Sequence, residues 1–302
     1  MNSKVIISET NDKHRSRLIK AFQEIDNLED YSTKPQGVWG SKATIKCGGV
    51  TVKSSELDLE FDIPFDDNLE SNEGEIIIYN LSDNTIKQLK RKASLSIEAG
   101  YEGDTGVLFK GYITKPQTNR DDIDKVTTLK IIDDIEAKES LNLSYTSGTK
   151  ASTILKDLLK KTGLPIARFE PFRDWTYEND VKIDETLESA IKKYSEVCGV
   201  STFTNKGKIY SYQLKADSSN VTFEISEDTG MIGSPSPFEE QMTAEDYSDT
   251  IEGFEIEMLL QHRISVGATV RLKSKQYKGL YCVKSGSHRF NESEAITTIK
   301  VI

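Results

Sequence analysis

The stretch ELDLEFDIPFDDNLESNEGEIIIYNLSDNTIKQLK, Glu56 to Lys90, decides the fold class. Leu57, Leu59, Phe61, Ile63 and Phe65 fall on one face of an extended chain, and Asp58, Glu60 and Asp62 fall on the other. That spacing predicts a half-buried strand with a solvated, negative outer face. Glu75 to Tyr79, EIIIY, is too short and too β-branched for a helix and reads as a more deeply buried strand. Asn80-Leu81-Ser82-Asp83 then turns into a helix running from Asp83 to Lys90, with Ser82 or Asp83 placed to accept the free amides of its first turn. Between the two strands lies an acidic loop, Asp66, Asp67, Asn68, Leu69 and Glu70, and its partner is the question the stretch raises.

Outward from this stretch the chain divides into four parts. Residues 1–38 are a polar lead-in with one helical candidate, Arg15 to Leu28, stopped by Lys34-Pro35-Gln36-Gly37. Residues 39–146 read as β throughout, with further strands at Ala43 to Val52, Ser94 to Tyr101, Val107 to Thr114 and Val126 to Asp133. Gly48-Gly49 and Gly103-Asp104-Thr105-Gly106 have hairpin-turn chemistry. In residues 147–217 the period changes. Ala151, Ile154, Leu155, Leu158 and Leu159 mark a helix stopped by Gly163-Leu164-Pro165. A second helix begins at Asp184 as N-cap, turns Leu187, Ala190, Ile191, Tyr194 and Val197 inward, and ends at Gly199. A hairpin, Val200 to Thr204 and Lys208 to Tyr212, follows. Residues 218–302 return to β, with strands at Val221 to Ile225, Glu252 to Leu260, Ala268 to Lys273, Gly279 to Phe290 and Ala295 to Ile302, and a Gly/Ser/Pro linker at Gly230 to Pro237. The predicted class is mainly β: two small barrels flanking an α+β insert built as helix, helix and hairpin.

The composition excludes several function classes. The chain has 302 residues, 36% hydrophobic and 29% charged, as in an ordinary folded protein. A net charge of -10 argues against sequence-specific nucleic-acid binding through phosphate neutralisation. No apolar run reaches the roughly 18 residues of a membrane span, and the first residues lack a signal peptide's apolar core. Cys47, Cys198 and Cys282 are odd in number and scattered, which argues against a disulfide framework or a thiolate zinc site and predicts synthesis in a reducing cytoplasm.

No catalytic, cofactor or metal site emerges. His14, His262 and His288 read as surface or turn histidines, and no nucleophile stands in a recognisable relation to them. Asp121-Asp122, Asp133-Asp134 and Glu239-Glu240 read as solvated loop charge rather than a glycosidase pair. Asp66 to Glu70 resembles half a calcium loop but lacks the oxygen spacing and closing Glu. Cys198 reads as a small buried hydrophobe. Trp39 and Trp175 are packing candidates, and Pro171-Phe172-Arg173-Asp174-Trp175 is alternatively an exposed contact patch.

The order of these segments resembles the baseplate hub proteins of contractile-tailed bacteriophages and phage-tail-like bacteriocins, particularly those of Gram-positive hosts. FDIPFDDNLESNEGEIIIYNLSDNTIKQL is similar to the loop-bearing hairpin and helix of the tail-tube fold. KASTILKDLLKKTGL with DETLESAIKKYSEVCGVSTFTNKGKIYSY looks like the family's helix–helix–hairpin insert, and LLQHRISVGATVRLKSKQYKGLYCVKSGSHRF like its returning C-terminal barrel. The resemblance covers roughly residues 40–302 and leaves residues 1–38 unmatched. It implies a homotrimer whose six tube-like barrels form a ring between a hexameric tail-tube protein and a central spike, beside baseplate wedge or LysM-type tail proteins. It implies no enzyme activity, cofactor or membrane insertion. Asp66, Asp67, Asn68, Leu69 and Glu70 would then reach a neighbouring subunit or ring while strands pair across subunits, and the surplus of 49 acidic over 39 basic residues would give the channel a negative wall. Two other classes stay open, a tail-associated cell-wall hydrolase and a cell-wall-binding module.

Overall fold

The computed structural model describes residues 40–121, 123–133, 140–244 and 247–302. The lead-in with its helical candidate and His14, together with Trp39, Asp122 and Asp134, lies outside them. Ser41–Cys47 (β1) and Val50–Lys53 (β2) pair about Gly48-Gly49, whose φ values of 56° and 89° suit the left-handed turn that closes a tight hairpin. Leu59–Phe65 (β3) buries Leu59, Phe61 and Ile63 and exposes Asp62, as its alternation predicts; Leu57 stays outside the strand. Glu73–Tyr79 (β4) buries Ile76 and Ile78 completely but leaves Ile77 half-buried, so it alternates rather than burying both faces. Ser82 caps the next helix, its Oγ accepting from Thr85 N at 3.1 Å. That helix (α1, Asp83–Ile86) is shorter than expected. Its continuation tightens into three-residue turns, Gln88 N to Thr85 O and Leu89 N to Ile86 O, as Leu89 enters the core.

Ser94–Tyr101 (β5), Asp104–Asp121 (β6) and Asp124–Ile132 (β7) complete the first β region. The hairpin turn between β5 and β6 is Glu102-Gly103, so Asp104 and Gly106 lie in the strand instead of the loop. Ser140–Tyr145 (β8), which sequence reading left inside the first β region, pairs with Val181–Thr186 (β10). Helix α2, Ala151–Lys161, buries the five apolar positions its spacing marks, and Lys160 and Lys161 favour its negative C-terminal end. Ile166–Glu170 (β9) lies parallel beside Lys208–Tyr212 (β12), which also pairs with Ser201–Asn205 (β11). Helix α3, Leu187–Cys198, is capped by Thr186, not Asp184, because the β8–β10 ladder holds Asp184 extended opposite Asn142. It ends at Gly199, where φ of 67° favours glycine.

Val221–Ser226 (β13), Met231–Ala244 (β14), Tyr247–Leu259 (β15), Thr269–Lys273 (β16), Lys278–Phe290 (β17) and Ala295–Val301 (β18) form the last region. The expected linker at Gly230 to Pro237 is largely β14. Pro235 and Pro237 are tolerated there because β14 is an edge strand that pairs only with β15.

The two β regions are not separate barrels. Thirteen strands form one sheet in the order β14-β15-β18-β17-β3-β4-β7-β6-β5-β1-β2, with β13 joined through β16 to β17. Among the described residues no ladder closes either region on itself. The joint is β3–β17, which pairs Ile63 with His288 and Phe61 with Phe290. Each region keeps its own core, one around Ile76, Ile97 and Leu129 and another around Ile225, Val270 and Ile299, while α2 and α3 build a third. Phe61 is buried and its ring stacks on Phe290 with centroids 5.3 Å apart. Phe61→Asp should therefore cost of order 3 kcal/mol or more, because it strands a charge at this joint. Urea denaturation measures it, and an unchanged midpoint would contradict the assigned face.

Candidate functional site

Four of the polar residues that sequence reading singled out, Asp67, Asp133, His262 and His288, lie where different modules meet, whereas Asp121 ends the β6–β7 hairpin and Glu239 stands exposed on β14. In the first cluster, Asp133 at the end of β7 accepts from Asn72 N at 2.8 Å, Asn72 Nδ2 at 2.9 Å and Thr204 Oγ1 at 2.8 Å. It thus ties the first β region to the hairpin of the insert. Burial pushes its pKa up, although these donors oppose the rise. Beside it, Asp67 meets Lys284 Nζ at 3.5 Å and accepts from Ser201 Oγ at 3.2 Å, and Lys284 also reaches Glu240.

The acidic loop is thus short and largely engaged with its own chain. Asp66 folds back on Asn68, accepting from its N at 3.2 Å and its Nδ2 at 3.0 Å, and burial raises its pKa. Leu69 packs against the helical core. Only Asn68 and Glu70 of the five are exposed.

The second cluster sits where the loop before β16 meets the β5–β6 hairpin. Arg263 grips Asp104 with both terminal nitrogens, at 2.7 and 2.6 Å, and these bonds hold the Asp104 carboxyl below its usual range. His262 Nε2 lies 3.9 Å from Asp104 Oδ1, and Lys206 Nζ donates to the His262 carbonyl at 3.0 Å. Gly106 has no substitute here, since a Cβ on it would stand 2.1 Å from His262 Cδ2. Tyr101 Oη donates to Ala295 O at 2.8 Å across the same boundary.

His288 is not the surface residue that sequence reading expects. It is 2% exposed, packs on Phe65, and shares a 2.9 Å hydrogen bond between Nδ1 and Thr297 Oγ1. The period-2 pattern does hold the signal, because His288 shares a strand face with buried Phe290.

His288 is buried against the equally buried Thr297 hydroxyl, and the Cys198 and Cys282 thiols are buried with pKa pushed up to about 11, which holds them in the unreactive protonated form. Among the described residues no group of His, Cys, Asp or Glu is placed to hold a metal ion, and no helix is long and apolar enough to cross a membrane.

One surface departs from the ordinary. Phe172 and Trp175 are 66% and 62% exposed, which resolves the alternative left open for Trp175 in favour of an exposed residue. Their segment is rigidly held. Arg173 donates to Val197 O and Glu196 O at the end of α3, and Asp174 caps α2 by accepting from Ser152 N at 3.0 Å and Ser152 Oγ at 2.8 Å. A cap from a distant loop leaves no local sequence signal.

No protein-family model matches the sequence, and no curated protein matches it. Solved structures do. The 43 kDa tail protein of prophage MuSo2 from Shewanella oneidensis superposes with a TM-score of 0.64 at 9% identity, over 87% of this chain and 98% of that one. The chain has the fold of phage tail proteins. A tail protein from Neisseria meningitidis MC58 gives a TM-score of 0.61 at 11% identity, over 87% of this chain and 96% of that one. An E. coli component of the type VI secretion system, described as structurally similar to the T4 bacteriophage tail proteins gp27 and gp5, gives 0.59 at 11% identity, over 85% and 76%. In this tail-protein fold the junction clusters are joints that hold the modules to one another.

His288 makes one joint sensitive to acid. Burial depresses its pKa to about 3, and the nearby Lys206 charge adds to the effect. The native state holds it neutral, while an unfolded His takes up a proton near pH 6.5. Its contribution is thus complete above that pH and is lost as pH falls toward 3, at about 1.4 kcal/mol per unit. Urea titrations at pH 7 and pH 5 should show wild type losing about 2 kcal/mol more than His288→Gln. Equal losses would contradict the buried, neutral assignment.

Proposed function

We propose that the chain is a structural hub subunit of a contractile-tail baseplate. Three copies form a pseudo-sixfold ring that joins a hexameric tail tube to a central spike, beside wedge or LysM-type tail proteins. The observation that carries this reading is the β3–β17 ladder. It holds two β regions, each with its own core, in one rigid sheet, so one chain supplies two of six positions. Residues 40–133 and 218–302 are the two tube-like units, and 140–217, which include β8, the insert between them. Among the described residues neither unit closes on itself, and neighbouring units cover the open edges. Asn68 and Glu70 face an adjoining subunit or ring while Asp67 and Leu69 anchor their loop. The role is mechanical, with no catalysis, and the channel wall carries net negative charge.

Native mass spectrometry of the purified chain should give a trimer, and negative-stain averages down its axis should show six lobes. A chain that remains monomeric, or a ring without six lobes, contradicts the proposal. Exposed Phe172 and Trp175 favour a second reading, in which the insert binds cell-wall glycan through aromatic stacking. Co-sedimentation with purified walls that Trp175→Ala abolishes would support it. Loss of wall turbidity on adding the chain would instead reveal a hydrolase.

A further inference from the structure

The hub reading leaves open which surfaces of the chain meet, and the two ends of the sheet differ in charge. One end is β2, which among the described residues pairs only with β1. The β1–β2 turn packs on residues 88–93, since a Cβ on Gly48 would stand 3.3 Å from Gln88 O and 3.9 Å from Ala93 Cβ. This places the exposed side chains of Lys87, Lys90 and Arg91 beside that edge, and no ion pair among the described residues neutralises them. Lys46 on β1 is offset by Glu98, but Lys110 beside it is exposed and unpaired among the described residues. An open groove of about 610 Å³ starts at the β1–β2 turn and crosses β5 and β6 to Asp133, Leu164 and Gly207; Val50, Leu95 and Tyr112, a residue 45% exposed, line it.

The other end is β14. There Glu239 stands directly opposite Glu252, beyond the reach of β18, whose ladder with β15 begins at Phe254. Directly opposed like charges destabilise a strand pair. Glu255 and Glu257 are also exposed on β15, and Lys300, opposite Glu255, lies over the Phe238 ring instead of pairing with it. Ile232, opposite Glu257, is 39% exposed. Pro235 and Pro237, with a bulge between Ile232 and Ser236, disfavour strand addition along the first half of β14, beside Glu255 and Glu257. A partner must therefore use side chains there.

We infer that the occupant of each edge is a second copy of this chain: the acidic β14–β15 edge of one copy docks on the basic β2 edge of the next. The inference rests on the hub reading and locates its subunit contact. The two edges differ, so the contact is head-to-tail, and three such contacts close a ring. Unmatched lysines and arginines at one end and opposed glutamates at the other then neutralise each other, and Ile232 meets the groove beside Tyr112. Opposite charge steers the encounter and rejects wrong pairings.

Analytical ultracentrifugation tests this with exposed charges only. Lys90→Glu with Arg91→Glu, and separately Glu255→Lys with Glu257→Lys, should each raise the trimer dissociation constant at least about tenfold, by setting like charges face to face. The quadruple variant carrying both reversals should recover the trimer, which misfolding would not allow. A wild-type trimer that either double reversal leaves intact, or that the quadruple variant fails to restore, overturns the edge assignment while the hub reading stands. A wild-type chain that stays monomeric overturns both.

Discussion

The ladder between β3 and β17 is the constraint on which the rest of the structure depends. It pairs a strand near the start of the described chain with one near its end, and the residues it brings opposite each other suit a sealed joint. Phe61 stacks on Phe290, and Phe65 covers His288. Gly286, opposite Phe65 in the ladder, permits the close approach, because a Cβ there would lie 2.7 Å from the Phe65 ring. Without this ladder two half-open sheets would each expose a flank. With it they share backbone hydrogen bonds, and Arg263–Asp104 and Tyr101–Ala295 reinforce the same boundary from the side. The joint closes a loop of more than two hundred residues, so its pairing must offset a large loop-closure entropy.

The insert is fastened to this joined sheet by polar bonds. Asp133 and Asp67 serve as anchors, and the apolar Leu69 threads from the acidic loop into the helical core. The acidic loop thus has an intramolecular answer before any intermolecular one. The charge of its Asp67 is matched by Lys284 and by the Ser201 hydroxyl, which leaves Asn68 and Glu70 exposed for another molecule. Fixing the insert in this way also fixes the exposed aromatics it carries.

Those parts of the fold were legible whose stabilisation is local. Strand β3 shows its face by strict alternation, α2 by its i, i+3, i+4 spacing, and the end of α3 by Gly199. Elements stabilised from afar were not. β14 looked like a linker because an edge strand tolerates prolines that a central strand cannot. β8 and β10 depend on each other across the whole of α2, and the cap on α2 comes from Asp174, well outside the helix. The site was legible to a lesser degree. Sequence spacing marked the acidic loop and the exposed PFRDW segment, yet it gave no view of Asp133 as a hub of hydrogen bonds or of Arg263 gripping Asp104. Both partnerships join residues from different modules, and nothing near either residue announces the other. The two charged ends of the sheet became visible only once the strand order was known.

The central claim is that two β regions with separate cores behave as one rigid body because β3 and β17 pair. Native-state hydrogen exchange across a denaturant series measures this directly. The account predicts that amides of Leu59–Phe65 and of residues 286–290 share the slowest exchange class and the same denaturant dependence, opening only when both regions unfold together. Fast exchange at these amides while the two cores stay protected would contradict it.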